Sequence, residues 1–149
     1  MGTDPIRVVA LAVVRDGKLL TVRKRGTERF MLPGGKPEMG EPEVVTLARE
    51  VAEELCCSVR SATLLGEFAA AAANEPGRQV HARVFRGDIS GELSLAAEIE
   101  AVHWLDLARA PTVPLAPLLQ QHVLPVLLDD APLRSRPPKA VAVHFKCSD

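Results

Sequence analysis

Tyrosine is absent from this 149-residue chain, and all aromatic residues together make up only 3%. A platform that stacks single-stranded nucleic acid needs more of them. There is no excess of one charge either: 18 Lys plus Arg stand against 19 Asp plus Glu, a formal net charge of −1. That balance excludes a protein that binds nucleic acid mainly by neutralising phosphates. Cysteine is scarce and odd in number, three in all, and Cys56 and Cys57 are adjacent. Neighbouring residues rarely reach disulfide geometry, so a stapled secreted scaffold is excluded. No Cys-x-x-Cys pair is present and the four histidines, His81, His103, His122 and His144, are scattered, which leaves no basis for a structural zinc site. The longest strongly apolar run, residues 8–14, is far short of the roughly 20 residues a membrane helix needs. Residues 1–7 show neither the basic nor the apolar region of a signal peptide, and the expectation is a cytoplasmic protein.

What is there is an ordinary globular balance, 47% hydrophobic and 25% charged, in a length that supports one sizeable core. Residues 6–14 form a β-branched apolar run that ends at Asp16-Gly17, a hairpin turn signal, and residues 19–25 continue as a second strand. Strand alternation puts Leu20 and Val22 on one face and Thr21, Arg23 and Arg25 on the other. Phe30-Met31-Leu32 is a short apolar segment stopped by Pro33-Gly34-Gly35. Pro42 suits the first turn of a helix running to Leu55. Residues 59–73 and 79–89 read as strands around an Asn74-Glu75-Pro76-Gly77 turn, although 69–73 is alanine-rich and compatible with helix. Residues 98–106 read as a last core strand, and 115–128 as a second helix made irregular by Pro117 and Pro125. The expected organisation is one domain over residues 1–130 and a Pro-rich tail over 131–149. No internal repeat is evident, and strands followed by single helices indicate an α/β fold layered as a sandwich.

The informative segment is 34–55, GGKPEMGEPEVVTLAREVAEEL. On a helical wheel, Val44, Leu47, Ala48, Val51 and Leu55 form one apolar stripe, as in a helix packed on a sheet. Glu43, Thr46, Glu50, Glu53 and Glu54 cluster on another side. Glu50, Glu53 and Glu54 stand in i, i+3, i+4 relation, where like charges cost a helix roughly 0.2–0.5 kcal/mol per pair. A divalent cation reverses the sign of that term, and hard oxygen donors are what Mg²⁺ prefers. An acidic triplet alone is more often a solvated helix face, because surface helices are rich in Glu. The spacing around it alters that weighing.

Gly35, five residues, Glu41, seven residues and then Arg49-Glu50-Val51-Ala52-Glu53-Glu54 resembles the signature of the Nudix (MutT-type) hydrolase superfamily, G-x5-E-x7-R-E-U-x-E-E-x-G-U with U aliphatic. Six fixed residue types match a given register by chance roughly once in 10⁷. The resemblance implies a Nudix-type α/β/α sandwich on a mixed β-sheet, with the signature forming a loop–helix–loop. It implies Glu50, Glu53 and Glu54 as catalytic metal ligands, one of them doubling as general base, and the Gly34 carbonyl as a further ligand. Arg49 and Glu41 would form an ion pair fixing the loop to the helix, and Lys36 would contact substrate phosphate. Family members carry another glutamate further along; Glu98 and Glu100 are the candidates here, Glu98 being taken as a metal ligand. Arg23 and Arg25 are candidate phosphate contacts, and His81 and His103 are read as packing or surface residues. The family's closing Gly falls on Cys56 and its last aliphatic on Cys57. That exchange bears on the end of the helix, and both thiols are read as small buried hydrophobes.

The implied activity is Mg²⁺-dependent hydrolysis, with Mn²⁺ as a substitute, of a nucleoside diphosphate linked to another moiety X. The partner is thus a small nucleotide, not a nucleic acid or a membrane, and the chain is expected as a monomer or homodimer. The run Leu32-Pro33-Gly34-Gly35-Lys36 followed by Gly40-Glu41 resembles members that cleave nucleoside triphosphates, oxidised ones included, to monophosphate and pyrophosphate. ADP-ribose-type substrates rank second. A module that senses a nucleotide without cleaving it is the alternative of another class, and such proteins commonly lose the glutamates retained here.

Overall fold

The computed structural model describes residues 4–129. Strand β1 (Ile6–Arg15) carries β-branched and small apolar residues on both faces, and both faces are buried. Val9, Leu11 and Val13 point to one layer while Ala10 and Ala12 point to the other. Asp16 and Gly17 both adopt positive φ (52° and 74°), which the tight turn into β2 (Lys18–Lys24) requires. Four further strands complete the sheet: the two-residue β3 (Gly34–Gly35), β4 (Ser58–Ala71), β5 (Gln79–Ser90) and β6 (Ile99–Asp106). Five of the six strands lie in the order β4-β5-β1-β2-β6, and β3 pairs with β1 off that path. β1 runs parallel to β5 and antiparallel to β2, so the sheet is mixed.

β1 and β2 pair only beside their turn, through Val14–Leu19 and Arg15–Lys18, and separate beyond it. Residues 30–35 enter the gap. Met31 exchanges backbone hydrogen bonds with Val22, Leu11 N–H donates to the Pro33 carbonyl, and β3 pairs with β1 at Val9 and Ala10. This wedge carries the Gly34-Gly35 pair into the middle of the sheet, facing the helix above it.

That helix, α1 (Glu43–Leu55), starts after Pro42 in extended conformation, whose missing N–H has no helical partner to lose. Leu47, Val51 and Leu55 are fully buried against Val9, Leu11, Leu20 and Val22. The wheel is rotated from the expected stripe: Ala48 is exposed, while Thr46 and Glu54 are buried. The helix ends at Cys56, which takes the left-handed conformation (φ 58°) and donates its N–H to the Ala52 carbonyl. Cys56 therefore does the work of the usual glycine, and its thiol is exposed, against the expectation of two buried thiols; only Cys57 is buried.

The second layer packs a π-helical turn (Leu119–Val123) and α2 (Leu124–Asp129) on the opposite face, where Leu119, Val123 and Leu127 meet Ala10, Ala12, Leu19 and Leu105. The helix expected from residue 115 opens later and wider. Pro125 cannot donate to the carbonyl four residues back, and Leu124 N–H reaches five back to Leu119. β4 ends at Ala71, so the alanine-rich stretch is strand as far as that residue. Sheet between two helical layers is the α/β/α sandwich expected. The 131–149 tail lies outside the described residues. Among the described residues no helix is long and apolar enough to cross a membrane.

Candidate functional site

Arg49 is the hub of the loop that joins β3 to α1. Its Nε and Nη2 donate to the two carboxylate oxygens of Glu41, each at 2.9 Å, and Nη2 also donates to the Lys36 carbonyl at 3.1 Å. Glu41 accepts further from Thr46 Oγ1 (2.8 Å) and from Glu38 N–H (3.0 Å). The Arg49 hydrogen bonds, with those from Glu38 and Thr46, hold the Glu41 carboxyl down to about 2, and Glu41 in turn pushes the guanidinium up. The two-pronged pair between loop and helix is the one the resemblance implied.

The same guanidinium reaches Glu50 through Nη1 at 3.0 Å and stands 3.6 Å from Glu53. The three glutamates occupy different depths. Glu53 is 55% exposed at the side chain, Glu50 is largely covered, and Glu54 is 4% exposed. Among the described residues no three His, Cys, Asp or Glu side chains already stand in a geometry that closes on a metal ion. Glu50 is turned to Arg49, and Glu54 accepts from Gly34 N–H at 3.3 Å.

Glu54 is the unusual member. It has no ion-pair partner among the described residues, and burial, reinforced by the charges of Glu50 and Glu98, pushes its carboxyl up to about 8. Burial also raises Glu50, against the opposing pull of Arg49. A buried carboxylate facing two others, with one long hydrogen bond, is costly unless a cation joins it. The donor set is hard oxygen throughout, which suits Mg²⁺ or Mn²⁺ chemically.

The glycine pair shapes the floor. A Cβ on Gly34, whose φ is 151°, would sit 2.1 Å from the Val9 carbonyl oxygen, and one on Gly35 would sit 2.4 Å from the Glu50 carboxylate. Only glycine lets this strand lie under the acidic face of α1.

The basic residues sort differently from expectation. Arg23 lies on the far side of β2, over the Phe30 ring, donating to the Thr27 carbonyl and pairing with Glu100 at 3.0 Å. Arg25 is exposed, its backbone N–H bonded to the Glu98 carbonyl. Lys36 is exposed and lines a groove of about 730 Å³ beside Arg7, Glu38, Glu41 and Arg83. The cation that acts on Glu50 and Glu54 is Lys24, which the sequence reading missed. Alternation from Leu20 and Val22 carried one step further would have found it. Of the two later glutamates, Glu98 acts on Glu54 and Glu100 is tied to Arg23. His103 packs against Phe30, and His81 is exposed beside Arg7 in the larger groove.

Comparison with known proteins places the chain in a family. The Nudix domain model matches residues 5–127. A MutT-like protein of Streptomyces ambofaciens is 34% identical over 101 residues, 67% of this chain and 62% of that protein, so the chain spans less than two thirds of this curated relative. The crystal structure of a MutT Nudix hydrolase from Burkholderia pseudomallei superposes with a TM-score of 0.69 at 29% identity, covering 85% of this chain and 98% of that one. The solution structure of the E. coli ORF135 protein gives 0.65 at 28% identity, covering 90% and 94%. The matched residues take in the whole sheet, the glycine pair and the acidic helix, and the chain belongs to the Nudix domain family.

Proposed function

We propose that the chain is a Mg²⁺-dependent pyrophosphohydrolase acting on a nucleoside diphosphate linked to X, with a nucleoside triphosphate as first substrate and monophosphate and pyrophosphate as products. The observation that carries this reading is Glu54: a carboxylate 4% exposed, without an ion-pair partner among the described residues, beside Glu50 and within reach of the Glu98 charge. Glu50, Glu53, Glu54 and Glu98, with the Gly34 carbonyl, would hold the ion. Bound there, a divalent cation offsets phosphate charge and lowers the pKa of the attacking water.

The chain's own residues supply the rest. The Arg49–Glu41 pair keeps loop and helix in register, so the carboxylates are positioned before substrate arrives. Lys24 offers a positive charge that acts on both Glu50 and Glu54, and Lys36 offers another at the groove side. A glutamate of the cluster takes the proton of the attacking water. Turnover in the cytoplasm, by a monomer or homodimer, completes the reading.

A screen of nucleoside triphosphates, 8-oxo-dGTP, ADP-ribose and dinucleoside polyphosphates, with Mg²⁺ and with EDTA, tests it. The expected result is metal-dependent release of pyrophosphate from triphosphates. Preferential conversion of ADP-ribose to AMP and a sugar phosphate would move the chain to the second substrate class. Nucleotide binding without turnover of any of them would replace the enzyme by a sensing module.

A further inference from the structure

Three residues other than glycine take positive φ among the described residues: Asp16, Cys56 and Ala97. The first makes the turn between β1 and β2, and the second ends α1. Ala97, at φ 55°, stands directly before Glu98. It is exposed, so its own side chain packs against little and its neighbours impose the conformation. Ile99 N–H donates to the Ala96 carbonyl at 3.1 Å, which closes a four-residue turn with Ala97 and Glu98 at its centre. Positive φ at the first central position and not at the second is the pattern of a type II′ turn, where glycine is the usual residue. An alanine there is strained, and such strain persists only where the surroundings over-determine it.

The surroundings do so here. Ser94 N–H donates to the Leu55 carbonyl and Ala96 N–H to the Glu54 carbonyl, each at 3.0 Å. The segment before the turn thereby satisfies two carbonyls that the end of α1 leaves without helical partners. Beyond the turn, the Glu98 carbonyl accepts from Arg25 N–H at 2.7 Å, and Ile99, 2% exposed, pairs with Lys24 in the sheet. One side of the turn is thus bonded to the backbone of Glu54 itself, and the other to the strand end that carries Lys24. Glu98 stands between them, and its charge acts on Glu54. We propose that Ala97 is a positioning residue, whose left-handed conformation aims Glu98 toward Glu54 and so adds a fourth carboxylate to the three of α1. A turn of the opposite hand, closed by the same Ala96–Ile99 hydrogen bond, would re-aim the residue that follows it. The inference rests on Glu98 being a metal ligand, as in the reading above, and names what holds it in place.

Mn²⁺ binding, followed by the fall of the free-ion EPR signal as protein is added, tests this without turnover. Ala97→Pro fixes φ near about −65° and suits the first central position of a type I or II turn, so it changes the hand of the turn and keeps its place. Ala97→Gly keeps the positive φ without strain. Glu98→Gln removes the carboxylate itself. The expected result is that Ala97→Pro and Glu98→Gln each weaken Mn²⁺ binding by about tenfold or more, while Ala97→Gly stays within about threefold of wild type. In the Glu98→Gln background the proline should cost nothing further. Undiminished binding by Ala97→Pro, with weakened binding by Glu98→Gln, overturns the positioning role and leaves Glu98 a ligand. Equal losses in Ala97→Pro and Ala97→Gly, or a further loss from proline in the Glu98→Gln background, also overturn it, since the effect would not run through Glu98. Undiminished binding by Glu98→Gln removes Glu98 from the ligand set of the proposed function, and this inference with it. If Ala97→Pro does not fold, Ala97→Val, whose β-branch disfavours positive φ, takes its place in the same comparisons.

Discussion

Replacing Glu54 by Gln should make the metal-free protein more stable, and by an amount that depends on pH. Burial and the neighbouring carboxylates push the folded Glu54 carboxyl from 4.5 up to about 8. The folded state thus holds a proton that the unfolded state has released. Below pH 4.5 both states are protonated and nothing is lost. Between 4.5 and about 8 the unfolded state binds fewer protons, so stability falls as pH rises, by about 1.4 kcal/mol per pH unit. The loss reaches about 3 kcal/mol at pH 7 and levels off near 5 kcal/mol above pH 8. Because Glu54 is 4% exposed, solvent screening takes little of this away. Gln keeps the shape, can still accept from Gly34 N–H, and does not titrate. Urea unfolding of both proteins in EDTA at pH 5, 7 and 8.5 measures the difference. The variant should gain over wild type from pH 5 to pH 8.5, and Mg²⁺ should close the gap by stabilising wild type alone. Equal stability at every pH in EDTA would refute the account of Glu54 as an uncompensated buried carboxylate.

Four further outcomes follow from the same geometry. Gly35→Ala meets only the flexible end of Glu50, so the fold should survive while turnover falls at least tenfold; Gly34→Ala meets the Val9 backbone and should cost about 3 kcal/mol or more in denaturant unfolding. Cys56→Gly relieves a non-glycine left-handed helix end and should raise stability by about 1 kcal/mol without changing kcat/KM. Arg49→Ala frees Glu41, Glu50 and the Lys36 carbonyl together and should lower melting temperature and turnover alike; a purely kinetic defect would place Arg49 at the substrate instead.

The parts of the molecule that were legible in advance are those set by local chemistry. The Asp16-Gly17 turn and the helix over 43–55 each depend on residues within a few turns of chain, while the Glu41–Arg49 pair was implied by the family resemblance. The basic side chains depended on contacts far away. Arg23 is drawn to Glu100, 77 positions along, a contact that strand alternation does not contain, whereas the face of Leu20 and Val22 carried one step further leads to Lys24. The helical wheel groups Glu54 with Glu50 and Glu53 and does not tell their depths apart. The burial of Glu54 comes from the wedge that seats Gly34 under α1, a feature of β1 and β2 parting that no helical wheel contains. The irregularity of the second helix has a reason visible in Pro125, and the π-helical turn beside it packs in the layer that holds Ala10 and Leu19.

Turnover of a nucleoside triphosphate in ¹⁸O-labelled water, followed by mass spectrometry of the products, tests the central claim most directly. Attack of water at the α- or β-phosphorus with cleavage of the bond between them gives monophosphate and pyrophosphate, one of the two carrying the label. The account predicts these products in Mg²⁺, their loss in EDTA and their loss in the Glu54→Gln protein. Labelled orthophosphate as the primary product, or undiminished turnover by Glu54→Gln, would contradict it.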